Sequence, residues 1–97
     1  MTLIAVYPGT FDPITNGHAD LVKRGSKIFN KIIIAVAKNP QKNTLFTLNE
    51  RIKFTEKVFS GQESIEVLGL DKLLVDFAKD HSATVILRGL RAVSDFE

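Results

Sequence analysis

A continuous run of β-branched residues, Ile32-Ile33-Ile34, lies inside the apolar stretch from Lys31 to Ala37. Such a run is typical of a strand in a parallel sheet that is covered on both faces. Parallel strands are joined by crossover connections, which are usually helices. This feature therefore predicts an α/β fold in which helices cover both faces of a parallel sheet.

The segments on either side of this strand alternate between strand-like and helical patterns. Thr47 to Glu50 forms a capping-box pattern, which marks the start of one helix. The other predicted strands are Leu3 to Tyr7, Ile65 to Leu68 and Thr84 to Leu87, and the predicted helices are Gly17 to Phe29, Leu48 to about Gly61 and Asp71 to His81. The last strand is expected to be buried, and helical spacing places Ile28 of the first helix and Leu73 of the third on the faces toward the core. A chain of 97 residues holds one compact domain of this kind, which we assign to residues 1–97.

The third predicted strand carries Glu66 in its middle, so we place it at an edge of the sheet. This favours the strand order 3-2-1-4 of a Rossmann-like, doubly wound sheet over the alternative order 2-1-3-4. In the favoured order the chain reverses direction between strands 1 and 4, and ligands bind at the carboxyl ends of strands that flank such a switch point. The loops from Pro8 to His18 and from Arg88 to Arg91 should meet there.

Composition excludes several classes of function. The net charge is only +2, which argues against nucleic acid as a partner, and the absence of cysteine excludes a thiolate nucleophile and cysteine-bound metal. The longest purely apolar run, Ile32 to Ala37, is far too short to span a membrane, and the N-terminus lacks the pattern of a signal peptide. We therefore predict a cytoplasmic protein that binds neither nucleic acid nor membrane.

The loop after the first strand has features that suit a nucleotide. Gly9 allows the backbone to approach a ligand closely, and Thr10 offers a hydroxyl and an N–H group. Gly17 and His18 begin a helix, whose free N–H groups attract anions. Asp12, before Pro13, is as consistent with a turn or cap as with a ligand contact, and we leave it unassigned.

These residues closely match the Gly-x-Phe-Asp-Pro and Thr-x-Gly-His signature of the nucleotidyltransferase superfamily related to class I tRNA synthetases. The matching positions are Gly9, Phe11, Asp12, Pro13, Thr15, Gly17 and His18. Together with the stretch from Arg88 to Glu97 and the Lys42 loop, the chain most closely resembles the N-terminal part of bacterial phosphopantetheine adenylyltransferases. That family transfers AMP from ATP to 4′-phosphopantetheine, which gives dephospho-coenzyme A and pyrophosphate in coenzyme A biosynthesis.

The resemblance implies a role for each matched site residue. His18 would bind the ATP phosphates and stabilise the transition state, with Thr10 in contact with both substrates and Phe11 beside the nucleotide. Gly89, Leu90 and Arg91 would line the ATP site. Lys42 and Arg88 would hold the phosphate of phosphopantetheine, and Leu74 would border its pantetheine arm.

The resemblance further implies Mg²⁺ as a companion of ATP, coenzyme A as a product-like ligand and assembly into a homohexamer; no residue is assigned as a protein ligand of a metal. Family members continue beyond the equivalent of Glu97 with a Ser-rich, ATP-binding loop. The domain is therefore predicted to be incomplete at its C-terminus.

The chemistry of the residues agrees with direct in-line transfer. A phosphate monoester is mostly dianionic at pH 7 and can attack without a general base. The protein then has to align two anions and neutralise the charge that develops on the leaving pyrophosphate, which calls for cations and oriented donors. We expect helix N–H groups to disfavour protonation of His18 in the empty site, and a bound triphosphate to favour it.

Other interpretations of the sequence stay open. The chain could be a non-catalytic module that binds a nucleotide or coenzyme A, or a related enzyme whose acceptor is a nicotinate nucleotide or a glycerol phosphate. Arg88 could instead pair with Asp95 or Glu97, Lys42 could be a solvated loop residue, and Leu74 could serve only the core.

Overall fold

The computed structural model describes residues 2–38 and 43–88, and in this part of the chain strands and helices alternate as the sequence predicts. In chain order they are β1 (Ile4–Gly9), α1 (Asn16–Gly25), β2 (Lys31–Ala37), α2 (Leu48–Val58), β3 (Ile65–Leu70), α3 (Leu74–Asp80) and β4 (Val85–Ile86). None of the helices in the described ranges has the length and apolar character that a bilayer crossing requires.

The four strands form one parallel sheet in the order β3-β2-β1-β4, which confirms the predicted order and the Rossmann-like α/β class. β3 lies at an edge of the described sheet, where Glu66 pairs with Lys31 of β2 at 2.7 Å. Both of these side chains are about two-fifths exposed. The charge within β3 is therefore accommodated at the rim, as its sequence indicates.

Side chains of β2 alternate between two apolar clusters, one on each face of the sheet. The first cluster contains Val22 of α1 and Phe59, which follows α2, and the second contains Phe77 and Ala78 of α3. Ile32, Ile34 and Val36 belong to the first cluster, and Ile33 and Ala35 belong to the second. Burial of β2 on both faces explains its continuous apolar sequence.

α1 is shorter than predicted. The helix ends at Gly25, because the N–H groups of Ile28 and Phe29 both donate to the Gly25 carbonyl at 2.9 Å and turn the chain toward β2. Phe29 still packs against the first cluster, but Ile28 is 67% exposed. The predicted inward position of Ile28 is therefore wrong.

Two further predictions at the second face are also wrong. Leu73, predicted to face the core, is exposed because it occupies the N-cap position of α3 and lies outside the helical repeat. β4 was predicted to be buried, yet Val85 is half-buried and Ile86 is 37% exposed. In the described sheet β4 pairs with β1 alone and forms the second edge.

Candidate functional site

β1 and β4 end side by side at the carboxyl edge of the sheet, where the sequence predicts that two loops meet. β1 and β4 are parallel neighbours, with Ala5 opposite Val85 and Val6 opposite Ile86. The Leu87 N–H continues this pairing by donating to the Val6 carbonyl at 2.8 Å. The turn after β1 and the residue Arg88 therefore lie at the same edge of the sheet.

A capping box at the start of α1 fixes the orientation of His18. Thr15 is the N-cap, and its Oγ1 accepts the His18 N–H at 3.3 Å. In return, the Thr15 N–H donates to Nδ1 of His18 at 3.0 Å. His18 thus occupies the position that glutamate or glutamine takes in an ordinary capping box.

This exchange selects one tautomer of the imidazole. Nδ1 accepts the Thr15 N–H and so carries no proton, which places the proton of the neutral ring on Nε2. Nε2–H is then the donor that His18 can offer to a ligand. The helix start therefore presents a side-chain donor next to its own first-turn N–H groups, which favour anions.

Two aromatic rings, those of Tyr7 and Phe11, pack against this histidine. The Phe11 ring packs edge-on against Tyr7 at 5.3 Å and against His18 at 4.9 Å, measured between ring centroids. Phe11 is buried and has a backbone φ of 49°, in the left-handed region that a bulky residue seldom adopts. A side chain at Gly9 would bring its Cβ to 2.9 Å from Cζ of Phe11, so glycine is needed there.

Burial lowers the pKa of His18 below its ordinary value, because it disfavours the charged ring. The Thr15 N–H acts in the same direction, since a protonated Nδ1 would confront a second donor. This lowering of the pKa has the direction that the sequence analysis predicts. The main cause is burial against the aromatic rings rather than the helix N–H groups to which the sequence analysis attributed it.

Asp12, which the sequence left unassigned, fastens two loops together. Its carboxylate accepts the N–H of Leu45 and, at 2.9 Å, the N–H of Phe46. These residues precede α2 and lie 33 and 34 positions further along the chain. Asp12 therefore ties the turn after β1 to the loop that follows β2.

Arg51 is a site residue that the sequence analysis missed. It lies on α2 and is only 3% exposed, and its guanidinium donates to three backbone carbonyls. Nη1 donates to Thr10 and Ala37, both at 2.8 Å, and Nε donates to Phe46 at 3.2 Å. A signal was present, because position 51 falls on the same helical stripe as Leu48, Ile52 and Thr55, where a cation requires a specific reason.

The structure describes only some of the predicted site residues. Thr10 and His18 are half-buried in the turn after β1, and Arg88 is exposed directly after β4 at the same edge. Leu74 begins α3 and packs against the second apolar cluster on the opposite face from α1, as its core interpretation requires. Lys42, Gly89, Leu90 and Arg91 lie outside the described residues, as do Asp95 and Glu97.

The donor set of this edge indicates what chemistry it can perform. Within residues 2–38 and 43–88, no group of three or more histidine and acidic residues is arranged to hold a metal ion. The turn offers instead an oriented imidazole N–H, helix N–H groups and the nearby cations Arg51 and Arg88. Such a set can bind phosphate groups and neutralise their charge.

Comparison with known families assigns the whole of this region to one class. The cytidylyltransferase-like family model matches residues 6–97, which include most of β1, the turn with His18 and the stretch after β4.

Several solved structures have the same fold as this chain. The NadR protein, solved with NAD and AMP-PNP, superposes with a TM-score of 0.68 at 18% identity, over 88% of this chain and 29% of its own. Nicotinic acid mononucleotide adenylyltransferase of Plasmodium falciparum, solved with NaAD, has a TM-score of 0.71 at 18% identity, over 89% and 50%. A lipopolysaccharide core biosynthesis protein from Thermoplasma volcanium GSS1 has a TM-score of 0.68 at 20% identity, over 89% and 73%.

These likenesses establish the fold of the chain. The chain spans less than two thirds of the length of the first two of these proteins.

Proposed function

The chain belongs to the cytidylyltransferase-like family, and we propose that it forms the nucleotide-binding part of an adenylyltransferase that transfers AMP from ATP to 4′-phosphopantetheine. The products are dephospho-coenzyme A and pyrophosphate. Coenzyme A as a product-like ligand and assembly into a homohexamer follow from the same resemblance and form part of the proposal. The cytoplasmic location and the single domain over residues 1–97, which the sequence analysis predicts, belong to it as well.

One observation carries this function: the capping box presents Nε2–H of His18 at the edge where β1 and β4 end side by side. Family members bind nucleotide at the equivalent turn, and the switch point of such a sheet is where phosphates bind. A helix cap made by histidine instead of glutamate combines a structural bond through Nδ1 with a free donor on Nε2. That arrangement supports a role for His18 toward a phosphate oxygen.

The reaction we propose is a single displacement. A phosphate oxygen of phosphopantetheine attacks the α-phosphorus of ATP, the bond from the α-phosphorus to the bridging oxygen breaks, and pyrophosphate leaves with its electron pair. His18 and Arg91 stabilise the triphosphate as charge moves onto the leaving group, while Lys42 and Arg88 hold the acceptor phosphate. Mg²⁺ enters with ATP as part of the substrate.

Contacts along the nucleotide complete the assignment. Thr10 touches phosphates of both substrates, Phe11 lies beside the nucleotide, and Gly89 and Leu90 line the ATP site. Leu74 borders the pantetheine arm in this proposal, which is compatible with its partly exposed position at the start of α3. A transfer of this kind inverts the configuration at the α-phosphorus.

A second candidate changes only the acceptor. Two of the similar structures hold NAD or NaAD, which makes a nicotinamide or nicotinate mononucleotide the main competitor of phosphopantetheine. The Arg88-Gly89-Leu90-Arg91 stretch favours phosphopantetheine, because this segment distinguishes the pantetheine family within the superfamily. A module that binds nucleotide without turnover is the third possibility.

Pyrophosphate release from MgATP separates these functions. We expect release with 4′-phosphopantetheine and none with nicotinate mononucleotide, nicotinamide mononucleotide or glycerol 3-phosphate. Release with another acceptor would reassign the substrate, and ATP binding without release from any acceptor would favour the binding module.

The variant His18→Gln tests the proposed role of the histidine within the same assay. Glutamine can retain the capping box, because its amide oxygen accepts the N-cap N–H as glutamate does, yet it lacks an imidazole. We expect kcat to fall about 10²-fold to 10³-fold with a smaller change in KM. The matched control is His81→Gln, since His81 ends α3 beside Phe77 on the other face and should leave kcat unchanged.

A further inference from the structure

Arg51 holds a buried positive charge under the turn after β1, and no carboxylate lies within ion-pair distance of it in the described part of the chain. Buried arginines are normally paired, because an isolated charge loses its hydration. Here the carbonyls of Thr10, Ala37 and Phe46 solvate the guanidinium. Carbonyl oxygens solvate the cation without cancelling its charge, so its field persists at the turn.

The bond to the Thr10 carbonyl has a geometric consequence for the next residue. The Thr10 carbonyl and the Phe11 N–H belong to one peptide group, and this peptide is trans, since the cis bond of the turn lies between Asp12 and Pro13. In a trans peptide the C=O and N–H point in opposite directions. With the carbonyl held on Arg51, the Phe11 N–H points away from the guanidinium.

Arg51 also binds two other segments of the chain beside this peptide. Its bonds to Ala37 and Phe46 join the end of β2 to the loop before α2, and the Asp12 carboxylate takes the N–H of the same Phe46. The Phe46 backbone is thus held at its N–H and at its C=O. The guanidinium therefore has little freedom to move relative to the turn.

We propose that Arg51 is a positioning residue that orients and polarises the Thr10–Phe11 peptide so that the Phe11 N–H donates to a phosphate of the bound nucleotide. The cation strengthens that N–H as a donor by polarising the carbonyl of the same peptide group. The phosphate then supplies the negative charge that Arg51 lacks in the described structure. This inference rests on the proposed function, because it requires that a nucleotide triphosphate binds at this turn.

Two ligands of different charge separate positioning from general stability. ATP carries the phosphates on which Arg51 would act, and adenosine lacks them. We expect Arg51→Met to raise the Kd of MgATP about tenfold or more, as for the loss of a hydrogen bond to a charged group, while the Kd of adenosine changes less than about twofold. Arg51→Lys keeps the charge without the fork of donors and should restore part of the ATP affinity.

Thr55→Val is the matched control for destabilisation of α2. The Thr55 hydroxyl is fully buried and donates to the Arg51 carbonyl of its own helix at 2.8 Å, so its loss weakens the helix without touching the turn. Each variant is titrated calorimetrically with MgATP and with adenosine, at a temperature where unfolding curves show that it is folded. Both Kd values of Thr55→Val should lie near the wild-type values.

The possible outcomes are distinct. If Arg51→Met binds ATP like the wild type, or if ATP and adenosine weaken in parallel, the inference is wrong while the proposed function stands. If the wild-type chain binds neither ligand, the proposed function fails and the inference falls with it. Should Arg51→Met not fold, Arg51→Lys decides: ATP affinity reduced about threefold with adenosine unchanged supports the proposal, and unchanged ATP affinity overturns it.

Discussion

The two capping boxes of this fold provide a matched pair of substitutions, Thr15→Ala at α1 and Thr47→Ala at α2. Both threonines are exposed N-caps, and their Oγ1 atoms accept the N3 backbone N–H at nearly equal distances, 3.3 Å from His18 and 3.2 Å from Glu50. Loss of such a cap costs about 1 kcal/mol of unfolding free energy. Both variants should therefore lose about 4–8 °C in Tm.

The two variants should differ at the histidine. The Oγ1 of Thr15 lies 3.1 Å from Nδ1 of His18, so removing this side chain uncovers the ring as well as the helix end. Because burial lowers the pKa of His18, Thr15→Ala should raise that pKa toward its ordinary value. It should also weaken MgATP binding about threefold through the loosened imidazole. Thr47→Ala should change neither property.

Urea unfolding measures the loss of stability, and an NMR titration of the imidazole protons measures the pKa. His81 serves as an internal reference in the same spectra, because it lies at the end of α3 on the other face. The reasoning would be refuted if both variants shifted the pKa of His18 equally. It would also be refuted if Thr15→Ala lost stability without any change at His18.

Two further predictions concern the same turn. Gly9→Ala places a Cβ 2.9 Å from the buried Phe11 ring and should lower the unfolding free energy, measured in urea, by about 1–3 kcal/mol. In the control Gly17→Ala the new Cβ meets nothing closer than 3.7 Å, so the unfolding free energy should not fall. Equal losses in the two variants would contradict the packing argument. Since the pKa of His18 is lowered in the folded chain, its contribution to stability is complete above the unfolded pKa of about 6.5 and is lost as pH falls through the folded pKa. That loss should vanish in His18→Gln, and MgATP binding near pH 6.5 should take up protons, which calorimetry in buffers of different ionisation enthalpy detects.

The sequence by itself determined the architecture. The Ile32-Ile33-Ile34 run indicated cover on both faces, and Glu66 indicated an edge, which together favoured the order 3-2-1-4 that the sheet adopts. The Thr47 capping box was readable because its two partners are three residues apart. These features are local, so physical chemistry assigns them without knowledge of distant contacts.

The site was predictable in the same local terms only in part. Gly9 and His18 were identified in the turn from the sequence. The capping box at the start of α1 was missed, because histidine takes the place of glutamate at the third helical position. The positions predicted for Ile28 and Leu73 were wrong because α1 ends earlier, and α3 begins later, than the apolar spacing suggests. Helix ends depend on which caps form, and an apolar stripe does not report them.

Only the tertiary structure decided how the turn is held. Asp12 meets Leu45 and Phe46 across more than 30 residues, and Arg51 reaches Thr10 across 41 residues. Nearly every residue carries the same backbone carbonyl and N–H group. The sequence therefore does not show which of these groups a given side chain will bind. The identity of these bonds follows from the way β1, β2 and α2 pack, because packing alone brings those peptide groups within reach of one carboxylate and one guanidinium.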